Sequence, residues 1–144
     1  MINEKRLTRI LIEIIEGKRP SLMNIDMGAL ISIARKNKVL LHILRTLDIR
    51  GALRIEQESY IRKLIATVKT LSKLLKDYEY AFFKLIKPVV YVPSDIDLLV
   101  RADQVAKVAR KILNLGYRIE VKDPYCITFV KGSSVIDLYV QPSI

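Results

Sequence analysis

The chain has one cysteine, Cys126, and one histidine, His42. A lone thiol cannot close an internal disulfide and lacks the second sulfur that a zinc site would want. The imidazole falls in the helical-looking run Val39-Leu40-Leu41-His42-Ile43-Leu44, where no partner is suggested, so Ser-His and Cys-His nucleophilic chemistry has no support. No apolar stretch approaches the ~20 residues needed to cross a bilayer. The opening Met1-Ile2-Asn3-Glu4-Lys5-Arg6 alternates charges and the chain then becomes amphipathic, which is not the pattern of a signal peptide. These absences together describe a cytoplasmic protein with no membrane partner.

What is present is ample apolar material and an excess of positive charge. Of 144 residues 51% are hydrophobic, enough for one ordinary domain with a helical extension and far from a disordered composition. The net charge is +10, with 16 basic and 9 acidic residues in 1–80 and 9 and 6 in 81–144. A positive surface attracts the phosphates of nucleic acids or nucleotides. A Lys/Arg-rich solvated surface, of the kind found in proteins from hot environments, accounts for the same number equally well.

The periodicity divides the chain into a helical region, 1–80, and an α/β core, 81–144. Leu7, Ile10, Leu11, Ile14 and Ile15 keep the helical spacing, with Asn3 as N-cap and Gly17 as stop. Asp26 is placed to cap a second helix carrying Leu30, Ile31, Ile33 and Ala34, and a third is expected over 39–47. A long fourth helix is carried by Ile61, Leu64, Ile65, Val68, Leu71, Leu75 and Tyr78. Its basic residues Arg62, Lys63, Lys69, Lys73 and Lys76 are spread over several faces. They read first as solvated surface and second as a phosphate-binding stripe.

Beyond residue 80 short apolar runs replace the helical period. Strands are expected over 81–86, 95–100, 117–122 and 126–131, with 89–92 a short extended piece between the first two. A helix is opened by Asp103 and stopped by Gly116, and a hairpin turn at 131–134 leads into a last strand holding Asp137. The fold class expected is α+β, with a helical region ahead of a small mixed sheet that carries one packed helix.

Three acids fall on this frame. Side chains alternate along a strand, so Asp95 and Asp97 share a face, roughly 6–7 Å apart. Asp137 shares a face with Val135 and Tyr139. If the two strands are neighbours, about 4.8 Å apart, the three carboxylates converge. Carboxylates that close repel, and a hard divalent cation that also takes phosphate oxygens relieves the repulsion. The ordinary alternative is a wet strand face, although aspartate is depleted from strands.

The run Asp95-Ile96-Asp97-Leu98-Leu99-Val100, then Arg101, a helix of about a dozen residues and Leu115-Gly116-Tyr117, resembles the nucleotidyltransferase superfamily related to DNA polymerase β in its minimal form. It is similar to an uncharacterised bacterial and archaeal group of that superfamily, over roughly residues 26–140. The resemblance implies a transferase that moves NMP from an NTP, ATP first among them, to an RNA, protein or small-molecule acceptor. Asp95 and Asp97 would ligate two magnesium ions, and Asp137 would complete the second site and help activate the acceptor hydroxyl. Superfamily members carry a Gly-Ser or Gly-Gly element before the acidic strand. Here 84–94 contains no glycine, and Lys84, Lys87 and Ser94 are the candidates to hold the nucleotide in its place. The sequence ends soon after the third acid, which leaves the base or acceptor to the N-terminal helices, to a partner chain completing the site, or to a segment beyond it. The resemblance also admits a catalytically degenerate binding or regulatory protein of this fold. The charge alone admits a basic nucleic-acid-binding module.

Overall fold

A computed structural model of the chain describes residues 4–142. The architecture is α+β, with five α-helices and a five-stranded mixed sheet among the described residues. The chain separates into two compact units. One is Met1–Ile61 with Lys87–Val92, and the other is Arg62–Ile86 with Pro93–Ile144.

The first unit holds α1 (Glu4–Ile15), α2 (Met27–Lys36), α3 (Leu40–Thr46) and the start of α4 (Ala52–Leu74). Leu7, Ile10, Leu11 and Ile14 form the buried stripe of α1 and pack with Leu30, Ala34, Leu40, Ile43 and Leu44. Gly17 takes φ +80 where α1 ends, the left-handed conformation that glycine adopts without a Cβ penalty. Asp26 caps α2, its carboxylate accepting from the Ala29 amide at 3.1 Å. Asn3, read as the cap of α1, lies outside the described residues. Residues 89–92, expected as a short extended piece, carry no regular secondary structure. Their amides bond outside any sheet: Val90 N–H donates to His42 Nδ1 at 3.1 Å, and Val92 N–H to the Lys38 carbonyl at 3.0 Å.

The second unit holds the rest of α4, then β1 (Tyr80–Phe83), β2 (Ile96–Arg101), a 3-10 turn (Ala102–Gln104), α5 (Val105–Asn114), β3 (Arg118–Lys122), β4 (Cys126–Lys131) and β5 (Ser134–Gln141). The strand order is β1-β2-β5-β4-β3, with β2 and β5 parallel and the other pairs antiparallel. Ile96, Leu98, Val100, Ile127, Phe129, Ile136 and Leu138 present one sheet face to Leu71 of α4, to Leu75 just past its end, and to Val108 and Ile112 of α5. Each such side chain stabilises the fold by about 1.5–3 kcal/mol relative to exposure. The opposite face is where the acids stand.

Several boundaries differ from expectation. β1 ends at Phe83, because Lys84 takes φ 56, a left-handed backbone that breaks the ladder. Asp103 lies in the 3-10 turn, and α5 begins only at Val105. Ile65 is 46% exposed and stands off the apolar stripe of α4, while Tyr78 lies beyond the end of that helix. No helix among the described residues is long and apolar enough to cross a membrane.

Candidate metal and phosphate site

Two registered rows of side chains cross the open face of the sheet. Phe83 on β1 pairs with Asp97 on β2, Asp97 with Asp137 on β5, and Asp137 with Thr128 on β4. Two residues along, Ala81, Leu99, Tyr139 and Cys126 make the second row. Registered partners in a sheet point to the same face, so the parallel pairing of β2 with β5 sets two carboxylates side by side. Asp95 stands two residues before Asp97, in the bend that leads into β2, and adds a third.

Carboxylate oxygens of Asp95, Asp97 and Asp137 all lie within 4.8 Å of one another. Asp97 is the most enclosed, at 7% exposure. Cis oxygens around magnesium lie about 3 Å apart and trans oxygens about 4.2 Å, from metal–oxygen bonds of about 2.1 Å. One oxygen from each acid within 4.8 Å of the others is close to the spacing that a single ion requires. The donors are all oxygens, the chemistry that a hard divalent cation takes, and the residues fit such an ion.

Other groups organise the acids. Thr128 Oγ1 donates to Asp137 Oδ1 at 2.6 Å and fixes that carboxylate's orientation, as the outer partners of ligating carboxylates do. Lys84 Nζ lies 3.4 Å from Asp97 Oδ2. Its ammonium also sits 5.1 Å from the Phe83 ring centre and 5.8 Å from that of Tyr139. These two rings meet edge to face at 5.1 Å, so the lysine head rests on an aromatic corner beside the acids.

Burial raises the Asp137 carboxyl above its ordinary range. The Thr128 hydrogen bond opposes that rise, and the nearby Asp95 and Asp97 carboxylates add to it. The Tyr139 phenol is pushed up to about 12, first by burial and then by the Asp97 charge, so it is neutral near pH 7. Burial and the Asp137 charge likewise push the Cys126 thiol up, which keeps it from being a reactive thiolate.

Of the residues singled out from sequence, Asp95, Asp97, Asp137 and Lys84 come together here. Ser94 is exposed and adjoins Asp95 in the chain. Lys87 belongs to the segment grouped with the helical unit, its ammonium 5.6 Å from the Tyr91 ring centre. Thr128 and Phe83 escaped sequence reasoning. The alternation of β4 gave a usable signal for Thr128, since it puts Cys126, Thr128 and Val130 on one face.

Comparison of the chain with protein-family models, with curated proteins and with solved structures gives no significant match.

Proposed function

We propose that this protein is a metal-dependent nucleotidyltransferase, moving NMP from an NTP to an acceptor of RNA, protein or small-molecule type. The observation that carries the reading is the convergence of Asp95, Asp97 and Asp137 within 4.8 Å on one face of adjacent strands, with the Lys84 ammonium against them. Magnesium ions held by these acids would supply charge neutralisation at the attacking and leaving oxygens of an in-line displacement.

The chain's own groups have complementary parts in this reading. Asp95 and Asp97 hold the ions, and ATP is the first nucleotide to try. Lys84 is placed to meet a phosphate oxygen once Asp97 is otherwise engaged. Asp137, steered by the Thr128 hydroxyl and beside the other two acids, suits a role toward an acceptor hydroxyl.

A second reading, nucleotide binding by this fold without efficient turnover, is favoured by one observation. From Lys84 to Ser94 there is no glycine, so the backbone has no Cβ-free position at which to approach a triphosphate.

The test is thermal unfolding of the wild type and of Asp95→Asn/Asp97→Asn with each NTP, with and without magnesium, followed by transfer of label from the best nucleotide. A ligand at 100 times its Kd stabilises by about 2.7 kcal/mol. A magnesium-dependent shift lost in the variant supports the site, and labelled product then separates transfer from binding. No shift with any nucleotide would sink both readings.

A further inference from the structure

We propose that the helical layer of the second unit is a docking surface for the phosphate backbone of a nucleic-acid duplex. It lies on the sheet face opposite the acids, so the proposal stands independently of the nucleotidyltransferase reading.

The argument begins with an asymmetry in the sequence. Between Arg62 and Lys76 there are five basic residues and no acidic one, and α5 carries three basic residues and none acidic. On α4, Arg62, Lys69 and Lys73 fall within an arc of about 40° at 100° per residue and extend roughly 16 Å along the axis. Leu64, Val68 and Leu71 occupy the other side of that helix and pack on the sheet. The basic stripe therefore faces away from the core, and all three of its residues are exposed. Lys107 and Arg110 are likewise exposed on α5, which packs on the same sheet face through Val108 and Ile112.

The cations of this layer also stand without carboxylate partners, on a stretch of sequence that offers none. Several arginines outside it do find carboxylates: Arg45 meets Glu58 at 2.7 Å, Arg54 meets Asp48 at 3.3 Å, and Arg101 meets both Glu79 and Asp103. Among the described residues, none of Arg62, Lys69, Lys73, Lys107 or Arg110 has a carboxylate within 4.0 Å. A surface selected only for solubility intersperses the two signs. Leaving this much like charge uncompensated is a cost that a polyanion removes.

The chemistry also selects among polyanions. An anionic membrane takes up a helix that has an apolar face to insert, and here the main apolar stripes of α4 and α5 are spent on the core, with Ile65 and Leu113 the exposed exceptions. Single strands are gripped by exposed aromatic platforms, and no aromatic residue lies between 62 and 76 or within α5. A rigid row of cations without stacking groups suits the regular phosphates of a duplex, bound without reading its bases.

The experiment is fluorescence anisotropy of a labelled 20-base-pair duplex against the full chain over a range of salt concentrations, with a single strand of the same sequence in parallel. Three proteins are compared: wild type, Arg62→Gln/Lys69→Gln/Lys73→Gln, and a control, Lys5→Gln/Arg19→Gln/Lys36→Gln, that removes the same charge from exposed sites of the first unit. About five phosphate contacts give a slope of log affinity on log salt near −4.5, and the stripe variant is expected to flatten it by about 2.7 and to bind about tenfold or more weakly. The control should retain the wild-type slope, and all three should melt at the same temperature. Absence of duplex binding, an equal loss in both variants, or tighter binding of the single strand would each overturn the proposal.

Discussion

The ammonium of Lys84 lies 3.4 Å from Asp97 Oδ2, yet the two residues differ sharply in exposure, with side chains 62% and 8% accessible. The aspartate is enclosed and its cation reaches in from solvent, so the pair can open without disturbing the strand. Lys84→Met keeps the apolar stem and removes the charge. In magnesium-free protein we expect a loss of about 1 kcal/mol, less than for a fully buried pair because the ammonium is largely solvated. Added magnesium should then stabilise the variant more than the wild type. Urea unfolding in chelator and in magnesium measures both, and an unchanged midpoint in chelator would show that the pair contributes nothing.

Asp137 carries a pH signature. Burial, with the Asp95 and Asp97 charges, makes its folded-state pKa higher than its unfolded value. The protonated form is thus favoured by folding, and that contribution is present at low pH and lost as pH rises through the folded-state pKa. Asp137→Asn never ionises and keeps an oxygen for the Thr128 hydroxyl. Its Tm without metal should exceed that of the wild type by roughly 2–5 °C at neutral pH. The gap should close as pH falls below the ordinary carboxylate range, near 4. A gap independent of pH would mean that ionisation of Asp137 is not its source.

Thr128 acts through Asp137. Thr128→Val conserves shape and removes the 2.6 Å hydrogen bond, the main influence opposing the rise of the Asp137 carboxyl. That carboxyl should move further up, as followed by carbon-13 NMR titration, at a cost of about 1 kcal/mol in stability at neutral pH. An unmoved titration would show that the hydroxyl does not hold the acid.

How much of this site was legible in the sequence depends on the range of the interaction. The common face of Asp95 and Asp97 follows from strand alternation alone, and the α+β order follows from the change of period near residue 80. The pairing that makes the site does not. Asp97 and Asp137 are 40 positions apart, and only the crossover through α5 and the β3–β4 hairpin sets β5 parallel beside β2. Composition carries no signal for that register. Lys84 was identified as a candidate, but inside a strand that ran to residue 86. Its left-handed φ of 56 is a backbone choice, unusual for a lysine, that no propensity rule anticipates. His42 shows the same limit, since its partner is an amide 48 residues away.

That last contact gives a prediction of its own. Val90 N–H, half-buried, donates to His42 Nδ1 at 3.1 Å, which places the ring proton on Nε2. His42→Phe fills the space and withdraws the acceptor. The Val90 amide should then exchange with solvent about tenfold faster, equivalent to about 1.4 kcal/mol of local opening. Equal exchange in the two proteins would show that the histidine is not what holds this segment.

The position of β5 has a consequence for how the molecule comes into being. It is the last strand in the chain, yet it lies third of five in the sheet, between β2 and β4. Without β5 in place, the pairings left among the other strands are two separate ribbons, β1 with β2 and β3 with β4. Each ribbon exposes the edge that β5 will later join, and Asp97 has no Asp137 beside it. Insertion of one strand therefore closes both edges and assembles the acids in the same event. A chain without β5 keeps Asp95 and Asp97 but not the third acid, so completion of the sheet and completion of the acidic cluster are one step.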